Sequence, residues 1–344
     1  MKTTRVHSLL CLAAVLGLFA SCQRGNQETT LAYVTNGIDP FWDLCAAGVR
    51  QAEAEFGVKC EVHMPPKGLV DQKRILEQLL AKGVSGIAVS PIDAENQTKF
   101  LNDVANRTKL ITHDADAPKS DRLVYIGTDN YKAGRALGKL VKESLPDGGE
   151  VMLFVGRLEQ LNARQRRQGV IDELMDRPAQ TLATLKFDKV AETIKGDKYT
   201  ILDTRTDNFD KAKAKSNAED AMAKNENLAC MVGLFAYNPP ACLSAIQEAV
   251  KLGKVKEGQI KVCGFDEHDA LLQAIKDGHA HGTISQQPWK YGYESVKMLR
   301  AILNGDTSGI PANKFIEIPI KVVKKENVDD FWAEKRKMEA LLKK

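Results

Sequence analysis

The segment 35–42, whose sequence is TNGIDPFW, places one carboxylate and two aromatic rings in a short turn. An apolar run precedes it and a helical pattern follows, which predicts that a strand ends and a helix begins here. Open α/β sheets bind ligands at the carboxyl ends of their strands. Carboxylates accept hydrogen bonds from hydroxyl groups, and aromatic faces pack against C–H groups. The segment therefore favours a polyhydroxylated ring over a phosphate.

Polar or aromatic residues also follow six further predicted strands. Taken singly, an Asp or Asn before a helix is most often an N-cap. Together at one edge, these residues predict a ligand cleft with hydrogen-bond acceptors, an arginine donor and aromatic faces. Sugar hydroxyls can donate to such carboxylates and accept from such an arginine. The residues at these junctions are Asp39, Phe41, Trp42, Asp114, Asp116, Arg164, Phe209, Asn238, Asp266 and Gln286.

Two successive series of strands and helices must position these residues. From Leu31 onward, short apolar runs alternate with amphipathic helical patterns, and a second series of similar length starts at Asn130. Continuous apolar strands between amphipathic helices predict parallel sheets that are covered on both faces. With 344 residues, the chain has the length of two average domains. The fold class is therefore α/β, with two doubly wound, Rossmann-like domains.

The motifs of several enzyme classes do not occur in the sequence. It contains no Walker sequence, no G-x-G-x-x-G after the first strand, no H-E-x-x-H and no G-x-S-x-G. His279 and His281 have no apparent third ligand, so we predict neither a metal site nor a cofactor. Asp114 and Asp116 could be imagined as an acid/base pair, but no nucleophile accompanies them. We therefore expect that the protein is not an enzyme.

Composition narrows the classes of partner. The chain is 43% hydrophobic and 27% charged, and its formal net charge is only +4, so nothing favours nucleic acid as a partner.

Five cysteines occur beyond Cys22, an odd number, and each lies in an apolar helix or strand pattern. Buried free thiols are the expectation for these five. They are Cys45, Cys60, Cys230, Cys242 and Cys263.

The first 21 residues have the pattern of a signal peptide. Lys2 and Arg5 precede an apolar run from Leu9 to Ala20, which is too short to span a bilayer comfortably. The following LFASC sequence resembles a bacterial lipoprotein box and implies cleavage before Cys22 and acylation of its sulfur. We then expect residues 22–29 to form a lipidated tether and the protein to be a membrane-anchored lipoprotein of the periplasm. The alternative is an ordinary secreted protein in which Cys22 lies near the cleavage point by chance.

Several motifs resemble those of type I periplasmic sugar-binding proteins, and their layout is most similar to that of ribose-binding proteins. They are DPFW at 39–42, YIGTDN at 125–130, VCGFD at 262–266 and TISQQP at 283–288. The resemblance covers about residues 30–323 and extends to the ligand-binding core of the related repressors. A signal peptide stands where a repressor would have its DNA-binding motif.

The resemblance implies two lobes joined by a three-segment hinge. The N-terminal sugar-binding lobe would comprise residues 30–128 plus 287–314, and the C-terminal lobe residues 129–286 plus 315–327. The remaining segment, 328–344, contains apolar residues among many charges and predicts a C-terminal amphipathic helix. It extends past the usual end of the family.

Carried over by position, the resemblance also implies roles for individual residues. Asp39 becomes a polar sugar ligand with Phe41 and Trp42 as stacking rings, and Asp114 becomes the carboxylate that binds ring hydroxyls. From the second lobe come the arginine, the opposing aromatic ring and the other hydrogen-bonding residues, namely Arg164, Phe209, Asn238, Asp266 and Gln286.

Two departures from the ribose-binding pattern affect the choice of ligand. Ribose-binding proteins have an arginine where this chain has Ala115, and Asp116 becomes a candidate for a different contact. An insertion around residues 177–199 is absent from the small ribose-binding proteins. A pentose, a hexose, a deoxy sugar and a cyclitol therefore all remain open.

The sequence and the resemblance together imply the solute-binding component of an ABC sugar importer. It would bind a monosaccharide between its lobes by hinge closure and deliver it to a membrane permease. We expect a monomer that is attached to the membrane through its lipid anchor. The alternative is a sensor that presents a sugar or signal molecule to a chemoreceptor or a histidine kinase.

Overall fold

The computed structural model describes residues 29–190 and 192–343. The predicted signal peptide, Cys22 and the tether up to residue 28 lie outside the described residues. None of the helices in the described part has the length and apolar character needed to span a bilayer.

The first part of the chain alternates strands and helices as predicted. Its elements are β1 (Thr30–Val34), α1 (Pro40–Phe56), β2 (Lys59–His63), α2 (Leu69–Lys82), β3 (Gly86–Val89), α3 (Thr98–Ala105), β4 (Lys109–His113) and β5 (Tyr125–Gly127).

The second series follows directly. Its elements are α4 (Asn130–Ser144), β6 (Gly149–Val155), α5 (Leu161–Leu174), β7 (Ile194–Lys195), β8 (Tyr199–Thr206), α6 (Lys211–Lys224), β9 (Leu228–Gly233), α7 (Asn238–Lys251), β10 (Lys261–Phe265), α8 (Asp269–Asp277) and β11 (Gly282–Ser285). The chain then continues through α9 (Pro288–Leu303), β12 (Phe315–Glu317), β13 (Lys321–Lys324), α10 (Val328–Glu339) and a 3-10 turn at Ala340–Lys343.

These elements form two sheets with the predicted doubly wound character. The first has the strand order β12-β5-β4-β3-β1-β2, and all of its pairs are parallel. The second has the order β13-β11-β10-β9-β6-β8-β7, and only its edge strands β13 and β7 are antiparallel. Helices cover both faces of each sheet, which accounts for the continuous apolar strands. The predicted fold class is confirmed.

The chain passes between the two sheets three times, and the third crossing lies later than predicted. The first two crossings follow β5 and β11. The sequence predicts one last strand over 315–323, in the second lobe, but the structure divides it between the two sheets. β12 pairs with β5, so the crossing lies between Glu317 and Lys321 and not before Phe315. Pro319, which lacks an N–H for a strand ladder, lies in this crossing.

Close helix packing brings the cleft residues of the second lobe into place. α4 packs tightly along α5, and a Cβ on Gly134 would overlap the backbone carbonyl oxygen of Arg166. α1 packs on α9 in the same way, where a Cβ on Gly292 would overlap the Cys45 carbonyl oxygen. In both places the absence of a side chain on glycine lets two helices approach closely. All five cysteines within the described residues are buried and free, as predicted.

The predicted C-terminal amphipathic helix is α10, and it contacts both lobes. Val328, Phe331 and Trp332 pack on the apolar core beside α8 and β13 in the second lobe. The end of α10 and the 3-10 turn then lie against α1 of the first lobe. The two lobes are therefore joined by this terminal segment in addition to the three crossings.

Candidate functional site

A cavity of about 430 Å³ lies between the lobes, at the carboxyl ends of both sheets. This is the edge where open α/β folds bind ligands. Both lobes contribute polar and aromatic side chains. The first lobe supplies Asn36, Asp39, Phe41, Trp42, Lys67 and Asp114, and the second supplies Arg157, Gln160, Asn162, Arg166, Phe209, Phe235, Tyr237 and Asp266, with Gln286 at the hinge.

Asp114 is the central acceptor of the first lobe. It follows β4 with a positive φ of 57°, and its side chain is buried. Its Oδ2 accepts a hydrogen bond from Ser90 Oγ at 2.9 Å and from Asn36 Nδ2 at 3.3 Å. Across the cleft, Asn162 Nδ2 lies 3.4 Å from the same oxygen. Burial raises the pKa of this carboxyl, and Arg166 together with the hydrogen bonds from Ser90 and Asn162 opposes the shift.

Arg166 is the central donor of the second lobe, and it is only 2% exposed. Its Nε donates to Asn130 Oδ1 at 2.8 Å, and its Nη2 donates to Gln286 Oε1 at 2.6 Å. Nη2 also lies 3.8 Å from Asp114 Oδ1, so the guanidinium reaches the carboxylate of the opposite lobe. The guanidinium lies over the ring of Phe265, with 4.2 Å between the guanidinium carbon and the ring centroid. The arginine is thereby held rigidly in the floor of the cleft.

Asp266 is the second buried carboxylate of the floor. Its φ of 67° turns the side chain into the cleft after β10, and its Oδ1 accepts a hydrogen bond from Gln286 Nε2 at 2.7 Å. Burial raises the pKa of Asp266 to about 7, against the opposing effect of Arg166. Burial and the Asp266 carboxylate also raise the pKa of the adjacent Glu267, to about 8. Ionisation of the pair is unfavourable in the ligand-free cleft.

Aromatic rings form parts of both walls. In the first lobe, Phe41 meets Trp42 edge to face, with 4.8 Å between the ring centroids. In the second lobe, Phe209 stacks on Phe235 at 5.6 Å. Asp39 caps α1 by accepting a hydrogen bond from the Phe41 N–H at 3.1 Å, which fixes the start of the helix and the position of both rings. The predicted capping role and a place in the cleft thus coexist in one residue.

Backbone conformations that are unusual for residues other than glycine concentrate at this cleft. Asp114, Asn208, Phe209 and Asp266 all line the cavity and have a positive φ. A fifth such residue, Gln287, lies at the second crossing. Such conformations cost roughly 1–3 kcal/mol each and persist where the surroundings enforce them. Their concentration marks the cleft as the functional region.

Seven of the ten predicted site residues lie in the wall of this cavity. They are Asp39, Phe41, Trp42, Asp114, Phe209, Asp266 and Gln286. The structure places the other three elsewhere. Asp116 binds Arg122 through both carboxylate oxygens and accepts from Thr112 Oγ1, so its acceptors face the first lobe. Asn238 donates to Asp207 Oδ2 at 2.8 Å beneath the cleft wall.

Arg164 also lies outside the cavity wall, although the resemblance placed the cleft arginine there. Its guanidinium lies 3.4 Å from Glu95 Oε1 and 5.5 Å from the ring centroid of Phe187, a residue of the insertion. Two residues later, Arg166 takes the place in the cleft. Residues two apart on a helix point in different directions, so only one of these two arginines can enter the cleft.

The residues that sequence reasoning missed are mainly Asn36, Arg157, Asn162 and Arg166. Asn36 stands within the 35–42 segment, but the prediction of ligand-binding residues in that segment rests only on its acid and its aromatic rings. Asn162 and Arg166 are four apart on α5, and they lie on one face of that helix. Polar residues at this spacing on the buried side of a helix could have indicated them. Among the residues that the structure describes, no group of three His, Cys, Asp or Glu side chains is arranged to hold a metal ion.

Comparison with known proteins shows the family of this chain. Residues 31–307 match the family model described as "Periplasmic binding protein domain". The chain belongs to this family. The predicted resemblance to type I periplasmic sugar-binding proteins is thereby confirmed.

Several members of the periplasmic binding protein family are similar over nearly their whole length. The ribose import binding protein RbsB of Haemophilus influenzae is 25% identical over 299 residues, which cover 86% of this chain and 93% of that protein. An ABC transporter solute-binding protein from Burkholderia graminis, solved in complex with D-arabinose, has 27% identity and a TM-score of 0.76, with 87% of this chain and 96% of that chain covered. One from Agrobacterium vitis, bound to α-D-tagatopyranose, has 25% identity and a TM-score of 0.75, with 88% and 96% covered.

Proposed function

We propose that this protein is the solute-binding component of an ABC sugar importer and that it binds a monosaccharide in the cleft. The observation that carries the proposal is the floor of the cavity. There, Arg166 lies 3.8 Å from Asp114 of the other lobe, and Gln286 links it by hydrogen bonds to Asp266 of its own lobe. Acceptors on either side of a rigid donor match the alternating hydroxyls of a sugar ring.

The chemistry of the floor and of the aromatic walls suits a polyol ring. Hydroxyl groups donate to Asp114 and Asp266 and accept from Arg166, which forms charge-assisted hydrogen bonds worth about 1.5–3 kcal/mol each. The ring's C–H faces pack on Trp42 on one side and Phe209 on the other. A ligand without the matching hydroxyls leaves these buried groups unpaired, at a cost of about 1–3 kcal/mol per group. The floor therefore sets specificity, and the walls supply contact area.

Ligand binding favours closure because the two halves of the site belong to different lobes. Asp114 and Trp42 belong to the first lobe, and Arg166 and Asp266 belong to the second. A ligand completes both sets of contacts only when the lobes approach, so it shifts the population toward the closed form. Gln286 stands at the second crossing and bonds both Arg166 and Asp266. It thereby ties the site to the hinge.

The similar proteins support a sugar as the ligand but differ on which sugar. They include a ribose import binding protein, a complex with D-arabinose and a complex with α-D-tagatopyranose. Ala115 is buried beside Asp114 and offers no donor, in contrast with the arginine of the ribose-binding pattern. We therefore propose a pentose, hexose or related polyol and do not restrict the ligand to ribose.

The proposal extends to the location and partners of the chain. Acylation of Cys22 would anchor the protein at the periplasmic face of a membrane, where several acyl chains hold it stably. In that position a monomer delivers its sugar to the permease of the importer. Mass spectrometry of the protein purified from membranes tests the anchor, because a diacylated Cys22 adds a characteristic mass to the N-terminal peptide.

Isothermal titration calorimetry of residues 29–344 against pentoses, hexoses and cyclitols tests the sugar. We expect one or a few related sugars to bind and to raise the melting temperature. If no polyol, neutral or acidic, releases heat and none stabilises the fold, the proposed function is wrong. Uptake of the labelled sugar by cells with and without the gene then tests transport, since an importer component is required for uptake.

A further inference from the structure

The mouth of the cleft carries a different charge from its floor. The floor holds two carboxylates and one arginine. At the mouth, Lys67 and Arg157 line the cavity as cations. Lys211 is a third cation, but its Nζ lies 3.8 Å from Asp39 Oδ2, and the two charges offset each other. The mouth therefore has an excess of about two positive charges from these side chains.

Arg157 is the most informative of these residues. It follows β6 in the second lobe, and its guanidinium carbon lies 5.0 Å from the ring centroid of Phe209. The side chain extends across the cleft, because a methyl group on Gly68 in the first lobe would stand 3.4 Å from Nη1. The guanidinium is therefore held over the aromatic wall, directly at the entrance to the sugar site.

The donors of Arg157 are free for a ligand. Within residues 29–190 and 192–343, the Arg157 side chain makes no hydrogen bond and no ion pair with a protein acceptor. Arg166 is the opposite case, since three protein acceptors and a carboxylate 3.8 Å away surround it. Lys67 behaves like Arg157: its backbone N–H bonds Asp71, while no carboxylate in the described residues pairs with its ammonium group.

We propose that the ligand is an anionic sugar, and that Arg157, assisted by Lys67, binds its acidic substituent at the mouth of the cleft. The inference rests on the proposed function, because the polyol ring occupies the floor between Asp114 and Arg166. A guanidinium binds a carboxylate or a phosphate through two parallel hydrogen bonds. In a partly closed cleft this pairing is stronger than in water, since solvent screens it less. A neutral sugar leaves the two cations without a partner.

Matched neutral and acidic ligands test the proposal by calorimetry at fixed salt. Each set contains a parent sugar, the corresponding uronate and the corresponding sugar phosphate, for example galactose, galacturonate and galactose 6-phosphate. We expect an acidic member to bind about tenfold or more tightly than its parent, as a charged hydrogen bond implies. A carboxylate and a phosphate are distinguished by which acidic member binds more tightly.

Two variants separate the role of Arg157 from a general charge effect. Arg157→Gln removes the guanidinium at the mouth, and Arg107→Gln removes an equal charge at an exposed position before β4, on the opposite edge of the sheet. We expect Arg157→Gln to abolish the preference for the acid and Arg107→Gln to retain it. Both variants should melt within about 1 °C of the wild type, because neither side chain forms an ion pair in the described part of the chain.

The outcomes also separate this inference from the proposed function. If the parent sugar binds as tightly as its acids, or if the preference survives in Arg157→Gln, the inference is overturned while sugar binding stands. If no member of any set binds, both are overturned. A preference for the acid that weakens with added salt and disappears in Arg157→Gln supports the inference.

Discussion

Asp266→Asn should stabilise the ligand-free protein and at the same time weaken sugar binding. The substitution removes one charge with almost no change of shape. The amide oxygen of Asn can still accept the hydrogen bond that Gln286 Nε2 donates to Asp266 Oδ1 at 2.7 Å. The φ of 67° at this position is also acceptable, because Asn adopts the left-handed region more readily than most residues. The local structure is therefore preserved.

The magnitude follows from the shifted pKa of Asp266. Burial raises it from 3.8 to about 7, so the folded state holds a proton that the unfolded state releases in this window. Stability therefore falls as the pH rises from about 4 to about 7, and the penalty is complete above pH 7. Between pH 5 and pH 7 the cost is about 3 kcal/mol, at ~1.4 kcal/mol per pH unit. Asn carries no such cost.

Melting curves at pH 5 and pH 8 measure this difference. Relative to the wild type, Asp266→Asn should gain about 6 °C or more on going from pH 5 to pH 8, at roughly 2–4 °C per kcal/mol. Asp121→Asn, which changes an exposed carboxyl, is the matched control and should show no such gain. Calorimetry with the cognate sugar should show binding weakened about 10- to 100-fold in Asp266→Asn.

Two results would refute the reasoning. If Asp266→Asn melts below the wild type at pH 8, the buried carboxylate stabilises the apo fold and the assigned cost is wrong. If its gain between pH 5 and pH 8 equals that of Asp121→Asn, the Asp266 carboxyl does not titrate in the expected window. Unchanged sugar affinity would remove Asp266 from the binding floor.

Three further predictions concern the second lobe and its surroundings. Arg166→Lys keeps the charge but loses the forked donors, so calorimetry should show sugar binding weakened at least about 100-fold. The same change at Arg164, outside the cavity wall, should leave the affinity within about threefold of the wild-type value. Gly134→Ala forces a methyl group against the Arg166 carbonyl oxygen and should lower the free energy of unfolding, measured with denaturant, by about 1–3 kcal/mol. Gly37→Ala is the control: no atom lies within 4 Å of the new methyl group, so the free energy of unfolding should not change. Deletion of residues 328–344 exposes the core beside α8, so the melting temperature should fall. The deletion also removes a contact with α1, so small-angle scattering should show a larger radius of gyration for the ligand-free protein. An unchanged radius would show that this segment does not restrain the lobes.

The sequence by itself determined the architecture and most of the first wall. Apolar strands alternating with amphipathic helices allow only covered parallel sheets, because a strand that is buried on both faces requires continuous apolar residues. The carboxyl ends of such strands must share one edge, which places Asp39 and Asp114 together at the edge of the first sheet and Asp266 at the corresponding edge of the second. Capping by Asp39 is equally local, since it depends only on the next few residues of α1.

Tertiary structure alone decided which arginine enters the cleft. Three arginines lie within four positions of α5, and each goes to a different place. Arg164 turns toward Glu95, Arg166 fills the floor, and Arg167 donates to Thr204 and to the backbone of the insertion. Helical periodicity separates their directions, but only the packing of α4 on α5 at Gly134 determines which direction faces the cleft.

The distinction between local pattern and tertiary contact also explains the remaining differences between the sequence predictions and the structure. Asp116 is sequence-adjacent to the site, yet the long reach of Arg122 takes both of its oxygens. Arg157 lies opposite Gly68 of the other lobe, a neighbour that only the tertiary structure provides. The final crossing lies in the segment around Pro319 because β12 pairs with β5, in which each partner residue lies 190 positions earlier in the chain. Local patterns specify which groups lie at the edge of a sheet, while contacts between distant segments decide which of them face the ligand.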